Sequence, residues 1–107
     1  MTMFDDRERA FEAKYARDEE IAFRVIARRN RLLGQWAAGL MKLTPEETEA
    51  YAKAVVQADF EETGDDDVVR KLYGDLIAAN VEIDEATVRK AMDAQMTEAR
   101  RQLIEAP

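Results

Sequence analysis

Cysteine, histidine and serine are all absent from the 107-residue sequence. These three residue types supply most of the nucleophiles, proton shuttles and transition-metal ligands found in enzymes. A catalytic site would have to be built from carboxylates, lysine, tyrosine and threonine. The absence of cysteine also excludes disulfide bonds and a thiolate zinc site, which agrees with a reducing compartment. We therefore do not expect an enzyme, a metal site or a cofactor.

Helix-breaking residues and long apolar runs are also scarce. Four glycines and two prolines leave long uninterrupted stretches, and the many alanines, glutamates, arginines and leucines favour α-helix. No run of about 18 apolar residues exists, as a membrane-spanning helix would need. The N-terminus is charged from Asp5 onward, unlike a secretory signal. We expect one all-α domain that is soluble, cytoplasmic and monomeric when free.

The net charge of −7 is unevenly distributed. Residues 21–43 contain five basic residues and no acidic one, whereas acidic residues outnumber basic ones both before and after this segment. A general nucleic-acid-binding protein should present a dominant basic face. The charge pattern therefore argues against nucleic acid as the partner.

Capping signals divide the chain into helices. "KLTPEE" places Thr44 three residues before Glu47, which is the spacing of a capping box, with Pro45 at the first helical position. "ETGDDD" offers Gly64 as a helix stop and Asp65 as the next N-cap.

A third break, "ANVEIDEAT", places Asn80 near a helix C-terminus and Asp84 at the last N-cap. Because the connections are short, the simplest fold is a four-helix bundle with an N-terminal extension that is either helical or disordered. The predicted helices span residues 5–42, 45–63, 66–79 and 85–105.

One apolar stripe runs along the first helix. At 100° per residue, eight side chains fall within about 80° of each other. They are Phe4, Phe11, Tyr15, Ala22, Ile26, Leu33, Trp36 and Leu40. From residue 21 onward the stripe is predicted to form core, with Trp36 at its centre because Trp36 is the largest apolar side chain. The facing side chains are predicted to be Tyr51, Ala54, Val55 and Ala58, then Val69, Leu72, Tyr73 and Leu76, then Val88, Met92, Met96, Ala99 and Leu103.

Two residues of the first helix allow alternative interpretations. Arg29 lies on the apolar stripe, so its guanidinium is either buried and paired with an acid or carried to the core edge by its stem. Gly34 costs about 1 kcal/mol relative to alanine inside a helix. Close approach of another helix backbone is the preferred explanation for Gly34, and a hinge is the alternative.

Two charged clusters also have two interpretations. "DDD" at 65–67 lacks the spacing of a calcium-binding loop, so helix capping is preferred over a metal site. "RVIARRNR" places Arg24, Arg28 and Arg31 opposite the stripe without interleaved aromatic residues. Intramolecular ion pairs with the acidic later helices are preferred over nucleic-acid binding.

The front segment, "FDDRERAFEAKYARDEE", has three aromatic residues among many charges. It is either a frayed solvated tail or an arm that binds a partner. Asp5 with Glu8 fits a capping box, and the pairs Asp5–Arg9 and Glu20–Arg24 have the favourable i,i+4 spacing. The bundle supplies a helix nucleus, so the arm can become helical when it enters a groove with its aromatic face first.

Three blocks resemble the zeta subunit of alphaproteobacterial F-type ATP synthases, an inhibitor of ATP hydrolysis. They are the front segment, "RRNRLLGQWAAGL" and "AYAKAVVQADFEETGDDDVVRKL". The resemblance implies an N-terminal inhibitory arm, residues 1–18, on a bundle of residues 19–107. It implies that the arm inserts at a catalytic alpha/beta interface next to the gamma subunit and stops rotation in the direction of hydrolysis.

By this resemblance, the partner-binding residues match the chain from Met1 to about Arg17. The anchors are expected to be Phe4, Phe11 and Tyr15, with Asp5, Asp6, Arg7, Arg9 and Lys14 at the rim. The protein would associate with the cytoplasmic face of the ATP synthase without entering the membrane. No glycine-rich phosphate loop is present, so no nucleotide site is carried over. The alternatives are a nucleic-acid binder using Arg24, Arg28 and Arg31, and an acidic adaptor for another helical protein.

Overall fold

The computed structural model of the chain describes the backbone of residues 3–61 and 64–105 and the side chains of residues 18–59 and 64–104. Within these ranges it confirms the predicted all-α four-helix bundle, and a π-helical turn prolongs the last helix. The elements are α1 (Met3–Leu40), α2 (Pro45–Glu61), α3 (Asp65–Ala78), α4 (Glu85–Arg100) and the turn Arg101–Glu105. None of the helices described here has the combined length and hydropathy that crossing a bilayer requires.

Side-chain caps begin α2 and α4 where they were predicted. The Glu47 carboxylate accepts a hydrogen bond from the Thr44 backbone N–H at 2.9 Å, and the Thr44 hydroxyl accepts one from the Glu47 N–H at 3.2 Å. Asp84 Oδ1 accepts from the Thr87 hydroxyl at 2.6 Å and from the Thr87 backbone N–H at 2.8 Å. These bonds favour the charged carboxylates, so they lower the pKa of Glu47 and that of Asp84.

The predicted N-cap of α3 is wrong. Gly64 occupies the N-cap position, with φ 124° and no side-chain cap, and Asp65 is the first residue of the helix. The Asp65 carboxylate instead accepts a hydrogen bond from Arg29 Nη1 at 3.0 Å. A carboxylate committed to a guanidinium on another helix does not serve its own helix terminus, and glycine tolerates the positive φ at the cap.

Two helices end in the same left-handed geometry. Lys42 (φ 60°) and Asn80 (φ 63°) follow the ends of α1 and α3. In each case the next backbone N–H reaches back across the last turn, from Leu43 to the Ala38 carbonyl and from Val81 to the Leu76 carbonyl, both at 3.0 Å. This is the hydrogen-bond pattern of a Schellman motif. It confirms the predicted helix end near Asn80.

The other three helices assemble on α1, which contacts each of them. The central side chains come from all four helices and are nearly inaccessible to water: Leu33, Ala37, Val55, Val68, Val69, Leu72, Leu76 and Val88. Most of the predicted core face of α3 and α4 is confirmed, since Met92 and Ala99 are also buried, whereas Tyr73, Met96 and Leu103 are only half-buried. On α2 the prediction is wrong for Ala54, which is exposed, because the buried face includes Ala52 instead.

Gly34 marks the closest approach of α1 to α2. A Cβ atom built on Gly34 would lie 2.8 Å from the Ala52 Cα and 3.2 Å from Val55 Cγ2. Any side chain would therefore push the two backbones apart. The preferred explanation of this glycine, a close helix contact, is confirmed.

Trp36 does not lie at the centre of the core. It is half-buried and packs against the edge of the core cluster, next to Val81 and Ile83 of the α3–α4 connection. The centre belongs to Leu33 and Ala37, because small and medium side chains allow the helices to approach closely. The larger indole of Trp36 lies where the α3–α4 connection is its neighbour.

The apolar stripe of α1 is only partly core. Ala22 is exposed, and Ile26 and Leu40 have 36% and 40% of their surface accessible, contrary to the prediction. The reason is position along the helix. In the described part of α1 the buried side chains run from Val25 to Ala38, so Ala22 and Leu40 lie beyond this range and Ile26 lies at its start.

Candidate functional site

The predicted partner-binding residues all fall in the first four turns of α1. They are Phe4, Asp5, Asp6, Arg7, Arg9, Phe11, Lys14 and Tyr15. Their side chains lie outside the described residues, as does the predicted capping box of Asp5 and Glu8. Their roles therefore stay predictions.

The described side chains begin with the turn of α1 that follows this segment. From residue 18 to residue 24 no side chain is buried, and Ile21 alone in this stretch is half-buried. The predicted pair of Glu20 and Arg24 is confirmed, with Nη2 and Oε1 2.7 Å apart. Val25 is the first buried side chain of the described part of α1. Among the described side chains of α1, enclosure by the bundle therefore begins at Val25.

A buried polar network lies one turn beyond Val25. Arg29 is 1% exposed, and its Nε and Nη2 both donate to Asn30 Oδ1, at 3.1 and 2.9 Å. Asn30 Nδ2 in turn donates to Asp59 Oδ2 of α2 at 2.8 Å. Together with the Arg29–Asp65 bond, these contacts join α1 to the end of α2 and the start of α3.

The network decides between the two interpretations of Arg29. Its guanidinium is buried and paired, not carried out to solvent by its stem. Every buried nitrogen and oxygen of the described side chains has a hydrogen-bond partner, as burial of a charged group requires. The sequence analysis missed Asn30. An asparagine inside a helix, next to an arginine on the apolar stripe, could have indicated a buried hydrogen-bond partner for Arg29.

The three arginines opposite the stripe all make contacts within the molecule, but among the described contacts only that of Arg31 is the predicted ion pair with a later helix, since Arg24 pairs with Glu20 on α1 itself. Arg31 Nη2 donates to both carboxylate oxygens of Glu49, at 2.7 and 2.8 Å, and this hydrogen bond lowers the pKa of Glu49. Arg28 Nη1 donates to Gln102 Oε1 at 3.0 Å. These contacts tie α1 to α2 and to the C-terminal turn, and they favour a structural role over binding of nucleic acid.

The three consecutive aspartates of α3 each contact an arginine. Asp65 pairs with Arg29, Asp66 with Arg89 at 3.0 Å and Asp67 with Arg70 at 3.3 Å. In residues 18–59 and 64–104, no group of three or more acidic side chains is arranged to hold a metal ion. The "DDD" segment therefore connects helices.

An apolar groove that sequence reasoning missed adjoins this network. It encloses 390 Å³ between α1, α2 and the start of α3. Phe23 and Ile26 of α1 and Val56 of α2 supply apolar surface, and Asp59 and Asp65 also line it. The position of Ile26 on the stripe was a signal for this groove, but the sequence does not reveal how α2 and the start of α3 pack beside it.

The comparisons with known proteins agree with this architecture. The family model described as ATPase inhibitor subunit zeta matches residues 1–102. The chain belongs to this family. A protein whose structure was solved by solution NMR is 42% identical in sequence to this chain. The match covers 79% of this chain and 96% of that one, and the two structures superpose with a TM-score of 0.69. No curated protein matches the chain.

Membership of the zeta family supports the role of an inhibitor of ATP synthase, and with it an interaction with the catalytic sector of that enzyme. The family match includes both the front segment and the bundle. The recognition made from the three sequence blocks is thereby confirmed.

Proposed function

We propose that this zeta-family chain blocks ATP hydrolysis mechanically, without catalysing a reaction. The arm of residues 1–18 enters a catalytic alpha/beta interface of the F-type ATP synthase, next to gamma, and stops rotation in the hydrolytic direction. The bundle of residues 19–107 holds and orients the arm at the cytoplasmic face of the enzyme. Phe4, Phe11 and Tyr15 are the anchors, and the charged residues around them form the rim.

One observation carries this proposal beyond family membership. The helix α1 continues N-terminally for about 33 Å beyond Val25, and none of residues 18–24 buries its side chain against the bundle. The part of a helix that extends beyond the bundle core contributes little to the stability of the fold. Its aromatic side chains are therefore suited to binding another molecule.

The energetic logic favours an arm of this kind. An isolated helix of about 12 to 15 residues is marginal in water, because nucleation is costly. Here the buried part of α1 is already a nucleus, so the arm adds turns by propagation alone. Aromatic side chains that bury fully in a partner's crevice are the usual binding hot spots.

The test is a titration of the ATPase activity of the isolated catalytic sector with full-length variants. Phe11→Ala is expected to cost about 1 to 4 kcal/mol of binding, which is roughly a 5- to 1,000-fold rise in half-inhibitory concentration. Ile104→Ala, at a side chain 53% exposed on the C-terminal turn, is the matched control and should change it by less than about twofold.

Deletion of residues 2–17 extends this test. Inhibition should disappear, while the thermal unfolding of the bundle should stay nearly unchanged because few core contacts are lost. A Phe11→Ala protein that melts earlier yet inhibits normally would assign Phe11 to the fold and refute the arm.

A further inference from the structure

A second groove lies where α1 ends, at the opposite end of this helix from the arm. This distal groove encloses 610 Å³ between the last turns of α1, the α3–α4 connection and the first turn of α4. Its lining residues are Trp36, Leu40, Val81, Glu82, Ile83, Asp84 and Thr87. The arm lies at the other end of α1, so the proposed inhibition does not account for this surface.

The chain next to residues 60–63 is held away from the distal groove. Asp59 is bonded to Asn30, and Asp65 is bonded to Arg29. Leu40 lies about 15 Å beyond Asn30 along the axis of α1. The connection between α2 and α3 therefore begins and ends elsewhere on the bundle.

The other limits of the described side chains are also remote from the distal groove. Arg17 precedes Trp36 by about 28 Å along one continuous helix. Leu103 lies beside Arg28, which is about 18 Å before Leu40 along the same axis. The residues that line the distal groove are themselves all described. The groove is therefore open to a partner.

Trp36 offers the distal groove both an aromatic ring and a hydrogen-bond donor. Its side chain is half-buried, and none of the described residues accepts a hydrogen bond from its indole N–H. Every buried nitrogen of the described side chains has a partner, so this N–H reaches the surface. Leu40 beside it is 40% exposed. Tryptophan is among the residues most enriched in binding hot spots.

The charge of the distal groove defines the complementary segment. The two charged residues that line it, Glu82 and Asp84, are both acidic. No described side chain pairs with Glu82, and both capping bonds from Thr87 go to Asp84 Oδ1. A segment that fits presents an apolar side chain next to lysine or arginine. A second copy seated groove to groove would bring like charges together, which disfavours that occupant.

We propose that the distal groove binds a short segment of another protein, in which a bulky apolar side chain is flanked by lysine or arginine. The apolar side chain packs against Trp36 and Ile83, and the cation pairs with Glu82. A carbonyl of the segment accepts the indole hydrogen bond. Because the groove and the arm lie at opposite ends of α1, the bundle can hold this protein while the arm blocks the enzyme.

The experiment follows the fluorescence of the unmodified full-length chain, in which Trp36 is the only tryptophan. The probe is a hexapeptide with blocked ends and two central leucines flanked by lysines, and its matched control has glutamates in place of the lysines. The lysine peptide should shift Trp36 emission to shorter wavelength, reduce acrylamide quenching and bind at least about tenfold more tightly than the glutamate peptide. No shift up to about 1 mM lysine peptide, or equal affinity for both peptides, would overturn the proposal.

A pair of charge-reversal variants tests the site itself. Glu82→Lys should weaken binding of the lysine peptide by about tenfold. The matched control, Glu19→Lys, makes the same change in net charge at an exposed position about 26 Å from Trp36 along α1, and its effect should stay below about twofold. Circular dichroism melting shows whether each fold is intact. Equal effects of the two variants would mean that the peptide responds to net charge alone, which would refute the site.

Two further measurements test other occupants. Trp36 should remain reactive to hydroxyl-radical labelling when the unmodified chain is bound to the catalytic sector, and sedimentation of the free chain should show a monomer. Protection of Trp36 in that complex would assign the groove to the enzyme, and a dimer that protects Trp36 would assign it to a second copy. Either result would overturn the proposal. Glu82→Lys should inhibit ATP hydrolysis normally, so failure of the arm and failure of the distal groove are observed separately.

Discussion

The two halves of α1 form one unbroken helix but have different surroundings. In the C-terminal half, Leu33 and Ala37 are completely buried among α2, α3 and α4. In the N-terminal half, no described side chain before Val25 is buried, and Ile26, one residue later, is still 36% exposed. The 7 and 4 spacing continues from Ile26 to Leu33 and Ala37 without interruption.

This contrast shows what a hydrophobic stripe does and does not reveal. The period identifies a helix and the face that avoids water, because both depend on local geometry. The period does not predict which molecule covers that face. In this chain the bundle buries the face completely at Leu33 and Ala37, whereas Ile26 is still partly exposed.

The largest expected effect is a difference in stability between alanine variants in the two halves of α1. Leu33→Ala should lower the free energy of unfolding by about 2 to 5 kcal/mol, because it leaves a cavity in a packed core. Ile26→Ala, seven residues earlier on the same stripe, should cost less than half as much since part of its surface already faces water. Chemical denaturation of both variants measures the difference. Equal losses would mean that the stripe is core throughout.

Two glycines test how closely the helices pack, because one lies at a tight helix contact and the other does not. Gly34→Ala should destabilise the protein by about 1 to 2 kcal/mol, because overpacking against the Ala52 backbone outweighs the gain in helix propensity. Gly74→Ala on α3 adds a Cβ that meets nothing within 4 Å, so it should stabilise by up to about 1 kcal/mol. Thermal melting should therefore move in opposite directions, and a stabilising Gly34→Ala would refute the close contact.

The smallest effect concerns pH. Hydrogen bonds from Arg101 and then Gln102 lower the pKa of Glu98 to about 2 from 4.5, and Glu47, Glu49 and Asp84 have lowered pKa values too. Each carboxylate with a lowered folded-state pKa contributes stability that is present above the unfolded-state pKa and is lost as the pH falls.

The free energy of unfolding should therefore be nearly flat between about pH 5 and 8, because a chain without histidine has no side chain whose unperturbed pKa lies in that range. It should fall below about pH 5, and Glu98→Gln should make this fall shallower. Glu82→Gln, at an exposed position of the α3–α4 connection, is the control. Inhibition should also vary little between pH 5 and 8. A steep change in that range would point to a perturbed carboxylate or to the enzyme as the source of the pH response.

Local signals in the sequence were sufficient for most of the fold. The capping box at Thr44, the cap at Asp84 and the helix end at Asn80 involve residues within a few positions of each other, so short-range chemistry determines them. Gly34 was also interpretable, because a glycine inside a strong helix has few uses other than close packing.

The errors arose where distant residues compete. Asp65 has the right type and position for an N-cap, but Arg29 on another helix holds its carboxylate. Trp36 has the right size for a core centre, but the space between the helices is narrow where α1 meets α2 at Gly34. The groove at Ile26 depends on how α2 and α3 pack beside α1, which the pattern of a single helix does not contain. The arm's contacts depend on a second molecule.

The continuity of α1 also sets a rule for its evolution. No proline interrupts residues 3–40, so every residue inserted between the arm and Val25 turns the arm by about 100° around the helix axis relative to the bundle. A single insertion near residue 20 would aim the arm in a different direction, whereas insertions of 7 or 11 residues nearly restore its alignment. Natural insertions and deletions between the arm and Val25 should therefore be mostly of lengths that preserve the rotation of the arm about the helix axis.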